Sequence, residues 1–300
     1  MLVLTRAEVE ELLDLDALLD ALAGAHAELS AGAASLPPRV AAFSEHGLLG
    51  AMPGFLPGAG LGAKLVSLFP QNRPPLPTHQ AAIVLFDADT GLPTALLDGT
   101  YITAMRTAAA AALAARLAAR PDARVLAILG TGVQSRAAQE MFPRVREFSE
   151  IRVAGRGEYE EAVRGADVVA ATTHSPEPVV MRAWVAPGTH VSSVGYNPPG
   201  SELDPELVAA ADAIVVESRE SAFAAAPAGA PELAGVDPAS VAELGELVAG
   251  TRVARTSPEQ VTLYKSVGIA VQDLAAAALV LAAARERGAG LEIELEEVPA

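Results

Sequence analysis

The chain has 300 residues, 51% of them hydrophobic and 19% charged, which supplies a sizeable core and excludes a chain disordered throughout. Its 37 acidic against 21 basic residues give a formal charge of -16, the wrong sign for following a phosphate backbone or an anionic membrane face. Zero cysteine excludes disulfides, thiolate catalysis and zinc-thiolate sites. Neither a nucleic-acid nor a membrane partner is expected. The mean hydropathy of +0.32 comes largely from alanine, and charged residues or glycine interrupt the apolar stretches before the roughly 18 residues a span needs. The start Met1-Leu-Val-Leu-Thr-Arg6 has no basic segment leading into an apolar one, so a soluble, cytoplasmic protein is expected.

In chain order, Thr5 and Glu8 form a capping box and Leu12, Leu13, Leu15, Leu18 and Leu19 continue it, so the chain is expected to open with helices. From Pro37 to Leu97 the texture changes to short apolar runs (Val40 to Phe43, Leu48 to Met52, Ala63 to Phe69, Ala81 to Phe86, Thr94 to Leu97) punctuated by Pro and Gly, which reads as a small sheet. Asp87-Ala-Asp-Thr-Gly91 is a hairpin loop within it. Ile102 to Arg120, Ala-rich and closed by Pro121, predicts a long helix. From Arg124 strands and helices alternate: Val125–Leu129, a helix from Val133, Ile151–Val153, a helix around Tyr159 to Val163, and Asp167–Ala171. Strand candidates at His190–Val194 and Ala213–Val216 follow, with a short helix at Pro205–Ala210 between them. The alternation predicts a parallel sheet, complete near residue 216. Ala222 to Ala234 reads as an irregular loop and Val261 to Arg287 as a final helical region.

Gly130-Thr131-Gly132-Val133-Gln134-Ser135 follows an apolar strand and opens a helix. The first glycine permits the turn, the second lets a pyrophosphate approach the backbone, and free N–H groups of the helix start face it. Dinucleotide binding at Gly130, Thr131, Gly132, Val133 and Gln134 is the expectation. The second strand ends in Ala154-Gly155-Arg156. With no carboxylate in this stretch and an arginine placed for a 2′-phosphate, NADP(H) is favoured over NAD(H). Thr172, at the end of a later strand, lies where the crevice should hold the cofactor.

Three cations stand in segments otherwise nearly empty of charge: Arg39, Lys64 and Arg106. Burying such a group alone is costly, so each is expected to meet a carboxylate of the protein or of a substrate. Together with Phe69-Pro-Gln-Asn72, Leu85-Phe-Asp-Ala-Asp-Thr-Gly91, Thr103-Ala-Met-Arg106-Thr, Gly130-Thr-Gly-Val-Gln134, Gly195-Tyr-Asn-Pro-Pro-Gly200 with Glu202-Leu-Asp204, and Lys265-Ser-Val-Gly268 with Asp273, these segments resemble the ornithine cyclodeaminase/μ-crystallin family. The resemblance covers about residues 35 to 280. It implies a Rossmann-type parallel-sheet lobe and a smaller mixed α+β lobe for substrate and dimerisation. It further implies that Arg39 and Arg106 clamp a substrate carboxylate, that Lys64 lies beside the amine or imine carbon as a catalytic and binding group, and that Ser266, Val267 and Gly268 lie near the nicotinamide.

The informative departure is Asn197, where ornithine cyclodeaminase carries an aspartate in the corresponding stretch. An amide does not titrate usefully and cannot act as a general base. The resemblance therefore implies an NAD(P)H-dependent reductase of a small imino acid, such as the cyclic ketimine pyrroline-2-carboxylate, or the reverse oxidation of an amino acid. Its alternatives are ornithine cyclodeamination and a ligand-binding role of the μ-crystallin type. Five histidines lack metal-ligand spacing, so no metal is expected; His79 lies in the substrate lobe. The expected lobes are residues 1–120 with 263–300 and residues 121–262, with the site in the cleft between them and a homodimer as the assembly.

Overall fold

The computed structural model describes residues 1–195, 200–225 and 228–295. In chain order it runs β1 (Leu2–Leu4), α1 (Arg6–Leu12), α2 (Leu15–Ser30), β2 (Val40–Phe43), β3 (Leu48–Leu56), β4 (Gly60–Leu68), β5 (His79–Phe86), β6 (Pro93–Asp98) and α3 (Gly99–Ala118). There follow β7 (Val125–Leu129), α4 (Val133–Val145), β8 (Glu150–Ala154), α5 (Tyr159–Val163), β9 (Val168–Ala171), β10 (His190–Ser193), α6 (Pro205–Ala209) and β11 (Ala213–Val216). The chain closes with α7 (Arg219–Ala222), β12 (Ala242–Glu243), α8 (Leu244–Val248), β13 (Thr262–Lys265), α9 (Ala270–Arg287) and β14 (Leu291–Glu292). Two compact units result, residues 1–106 with 269–300 and residues 107–268. The Ala-rich later part of α3 thus counts with the second unit. Among the described residues no helix is long and apolar enough to cross a membrane.

The first unit is built on a mixed sheet in the order β14-β1-β6-β5-β4-β3-β2, parallel at β1–β6 and antiparallel elsewhere. Paired residues in such a sheet share a face. Met52, Lys64, Ile83 and Leu97 are successive partners across β3, β4, β5 and β6, and all four are buried. Helix α9 packs on β3, β4 and β5 as well as on α2. A lysine therefore stands in an apolar row. The opposite face is also apolar: Phe55, Leu61 and Phe86 form one cross-strand row, and Pro53, Ala63 and Val84 another.

The second unit is an all-parallel sheet ordered β12-β11-β13-β10-β9-β7-β8, with short helices between strands. Chain order reverses at β7, with β8 on one side and β9 on the other, which places the crevice of an open α/β sheet at the carboxyl end of β7. The strands are short and buried, as in parallel sheets covered on both faces: Leu126–Leu129, Val168–Ala171 and Thr262–Lys265 are buried throughout.

Three expectations are corrected. The chain opens with β1 before its helices, because Leu2–Leu4 pairs with β6 and β14. The sheet does not end near residue 216: β12 adds to its edge, and β13 inserts between β10 and β11. Thr262-Leu-Tyr-Lys265 is a fully buried four-residue run, too short for periodicity to separate strand from helix. The helix begins only after Gly268, whose φ of 70° ends the extended run.

Candidate functional site

The inner face of the first unit's sheet carries a buried chain of polar groups. The Lys64 Nζ lies 2.9 Å from Asp273 Oδ2 and donates to Oδ1 at 3.1 Å. Arg106, in the second turn of α3, donates from Nε to Asp273 Oδ1 at 2.9 Å and from Nη1 to Gln272 Oε1 at 2.7 Å. The Gln272 amide nitrogen in turn lies 3.0 Å from His26 Nε2. Because the Gln272 oxygen faces Arg106, its NH2 faces His26 Nε2. Asp273 sits in the first turn of α9, where the helix dipole favours a negative charge. Lys64, Arg106, Gln272, Asp273 and His26 are all buried.

One carboxylate thus serves two cations. Burial and the adjacent Arg106 guanidinium lower the Lys64 pKa to about 8, while Asp273 acts against that shift. The charge of Arg39 adds to the lowering, so Arg39 is felt at the same place. His79, on β5, is held at about 4 by burial and by the charges of Lys64 and Arg106, and is neutral at pH 7. The geometry leaves Arg106 Nη2 without a hydrogen bond among the described residues, one arm of a planar fork suited to a carboxylate.

In the second unit the glycine loop stands at the end of β7. Gly130 has φ 116°, and a Cβ there would lie 3.0 Å from Thr172 Oγ1 and 3.1 Å from its carbonyl oxygen, so a side chain is excluded. The Thr172 hydroxyl donates to Leu129 O at 2.7 Å, which ties the loop to β9. Gly132 caps α4 without a side-chain hydrogen bond, and nothing lies within 4 Å of its Cβ position. Thr131, Gly132 and Val133 are exposed, so free N–H groups of α4 face open space. Gln134 adds a buried Oε1 with no hydrogen-bond partner among the described residues. An exposed helix start without a capping side chain and an orphaned polar atom beside it fit the phosphates and polar edge of a dinucleotide. Arg156, exposed, lies just past the end of β8.

The profile of the ornithine cyclodeaminase/mu-crystallin family matches residues 1–159 and 154–288. The chain belongs to this family. It is 37% identical to ketimine reductase mu-crystallin of Mus musculus, over 78% of this chain and 80% of that protein. Among solved structures it resembles Thermococcus litoralis Δ1-pyrroline-2-carboxylate reductase in complex with NADH and L-proline, with a TM-score of 0.90, 33% identity, and coverage of 98% of this chain and 100% of that one. It likewise resembles an archaeal alanine dehydrogenase dimer with bound NAD, with a TM-score of 0.91, 33% identity and 99% of each chain covered.

Within this family member, three carboxylates that sequence reasoning left without a role organise the second unit's loops. Glu217, just past β11, accepts from Ser266 Oγ at 2.5 Å, Val267 N at 2.9 Å and Gly268 N at 3.0 Å. The donors of Ser266, Val267 and Gly268 are therefore engaged within the protein. Buried Glu202 accepts from Thr173 N at 2.6 Å, Ser193 Oγ at 2.8 Å and Gly195 N at 2.8 Å. A Cβ at Gly195 would lie 2.4 Å from Thr173 O, so only glycine fits there. Lys265 completes the cluster, donating to Gly195 O at 2.7 Å and pairing with Glu232 at 2.9 Å. Asn197 lies outside the described residues. In the sequence Glu217 stands next to a strand end and Glu202 within one of the segments that carry the family resemblance, and neither signal gives the carboxylate a role.

Proposed function

We propose that the protein is an NAD(P)H-dependent reductase of a small imino acid, a cyclic ketimine such as pyrroline-2-carboxylate, forming the corresponding amino acid. The observation that carries this reading is the Lys64–Asp273–Arg106 triad on the inner sheet face. Arg106, through its free Nη2, and Arg39 hold the substrate carboxylate, which fixes the neighbouring imine carbon and nitrogen. Asp273 keeps both basic groups in place and offsets their mutual repulsion. The reduced dinucleotide, when bound, supplies the hydride that adds to the imine carbon. As that bond forms, the π pair moves onto nitrogen, and Lys64 donates a proton to it; a lysine with a pKa of about 8 is still largely protonated at neutral pH yet yields its proton readily. Gly130, Thr131, Gly132, Val133 and Gln134, with Thr172 behind them, hold the pyrophosphate. Arg156 lies toward the adenosine end, and the loop of Ser266, Val267 and Gly268, fixed by Glu217, toward the nicotinamide end. Asn197, with no titratable group, takes no proton in this scheme.

The assembly is a homodimer in the cytoplasm. Supporting the dimer is the apolar outer face of the first unit's sheet, where Val40, Leu49, Leu61 and Leu65 are 64%, 50%, 43% and 38% exposed. The test of the reaction is oxidation of NADH and NADPH by the purified protein with pyrroline-2-carboxylate or piperideine-2-carboxylate. Turnover is expected, with kcat/KM falling about 10- to 100-fold in Arg106→Lys, which keeps the charge and loses the fork. Ammonia release from ornithine with no net cofactor consumption would overturn the reading.

A further inference from the structure

The residue that recognises the adenosine ribose stands at the end of the second strand of a dinucleotide-binding sheet, where a carboxylate accepts the 2′-hydroxyl and a cation instead pairs with a 2′-phosphate. In this chain the second strand is β8, and the next residue, Gly155, has no side chain to do either. Folding brings a carboxylate there from three residues further on. Glu158 turns back so that Oε2 accepts the Gly155 N–H at 2.9 Å. The same oxygen lies 3.4 Å from the position a Gly155 Cβ would take, and the next atom met is Thr131 Cγ2 at 3.9 Å, in the glycine loop itself. The Glu158 carboxylate thus occupies the ground that an acidic side chain at position 155 would cover, on the side of the pyrophosphate loop. Neighbouring Arg156 is exposed.

We propose that Glu158 is the residue that sets cofactor preference, and that it selects NAD(H). Its Oε2 is held by the backbone, which leaves Oε1 to accept the ribose 2′-hydroxyl. A 2′-phosphate at the same place meets a fixed like charge and loses its hydroxyl donor, so NADP(H) is disfavoured on both counts. Arg156, which alone in the sequence argues for NADP(H), is exposed and stands two residues before this carboxylate in the chain. The inference rests on the dinucleotide-binding reading above and adds which dinucleotide.

The experiment is isothermal titration calorimetry of the full-length protein with NADH and with NADPH, on the wild type and on Glu158→Gln, Glu158→Ala and Arg156→Ala, with circular dichroism of each variant as the folding control. The wild type is expected to bind NADH at least tenfold more tightly than NADPH. Glu158→Gln, which keeps an acceptor for Gly155 N–H but removes the charge, is expected to tighten NADPH several-fold, and Glu158→Ala to weaken NADH as well, bringing the two affinities together. Tighter NADPH binding by the wild type, lost in Arg156→Ala, would overturn the proposal and assign the preference to Arg156; an unchanged ratio in both Glu158 variants would overturn it too. Binding of neither dinucleotide by folded protein would instead remove the reading on which it rests.

Discussion

Lys64 shows how a single position is tuned. Its neighbours across the sheet are Met52 and Ile83, so the ammonium is desolvated, and among the described residues Asp273 offsets the cost of holding it there. In the proposed reaction Lys64 gives up a proton, so kcat/KM for imine reduction should be level below about pH 8 and fall about tenfold per pH unit above it. In Lys64→Arg, which keeps its proton throughout, that limb should disappear. A steady-state pH profile measured from 6 to 10, about two units either side of the Lys64 pKa, checks this; a wild-type profile that rises through 8 would contradict it. Lys64 and Arg106 were legible in the sequence because an isolated cation in an apolar segment demands a partner. The partner they share was not legible from the residues, since Asp273 lies 209 residues from Lys64 and reads alone as a helix-start carboxylate. Glu158, Glu202 and Glu217 were less legible still. Their partners include backbone N–H groups of Gly155, Thr173, Gly195, Val267 and Gly268, and those donors converge only once the loops are folded.

At the scale of elements, the strands with alternating apolar character and the Gly-x-Gly turn could be read directly, since period and turn chemistry are local. Strand β13 could not, because four buried residues flanked by a helical Ala-rich stretch carry no period of their own. The sheet of the first unit poses a different question. One face is covered by α9, whereas the other presents Pro53, Phe55, Leu61, Ala63, Leu65, Val84 and Phe86 in register. Monomeric proteins rarely leave so continuous an apolar face in water, and a second copy of the same face gives a closed two-fold contact. Light scattering on the eluting protein is expected to give the mass of a dimer, and the pair Leu61→Glu with Leu65→Glu to give that of a monomer. A wild-type mass of one chain would contradict the assembly.

For the whole molecule, the chain makes one unit, crosses into a second, and returns through α9 to finish the first. That return carries Gln272 and Asp273 to Lys64 and Arg106, which is why the first unit's polar chain needs both ends of the sequence. The second unit keeps its chemistry at the carboxyl ends of β7 to β11 and β13, where Gly130, Thr172, Gly195, Glu217 and Ser266 all lie. The formal charge of -16 gives the protein no general affinity for anions, so in the proposed reaction a carboxylate substrate is captured locally, by Arg106 and its neighbours. In the proposed reaction hydride passes from a nicotinamide dinucleotide to the carbon beside that carboxylate. This transfer is tested most directly with reduced dinucleotide carrying deuterium at one or the other C4 position, pyrroline-2-carboxylate as substrate, and mass spectrometry of the product. One of the two labelled cofactors should yield proline bearing a single deuterium at Cα and the other unlabelled proline; proline free of deuterium with both would contradict the account.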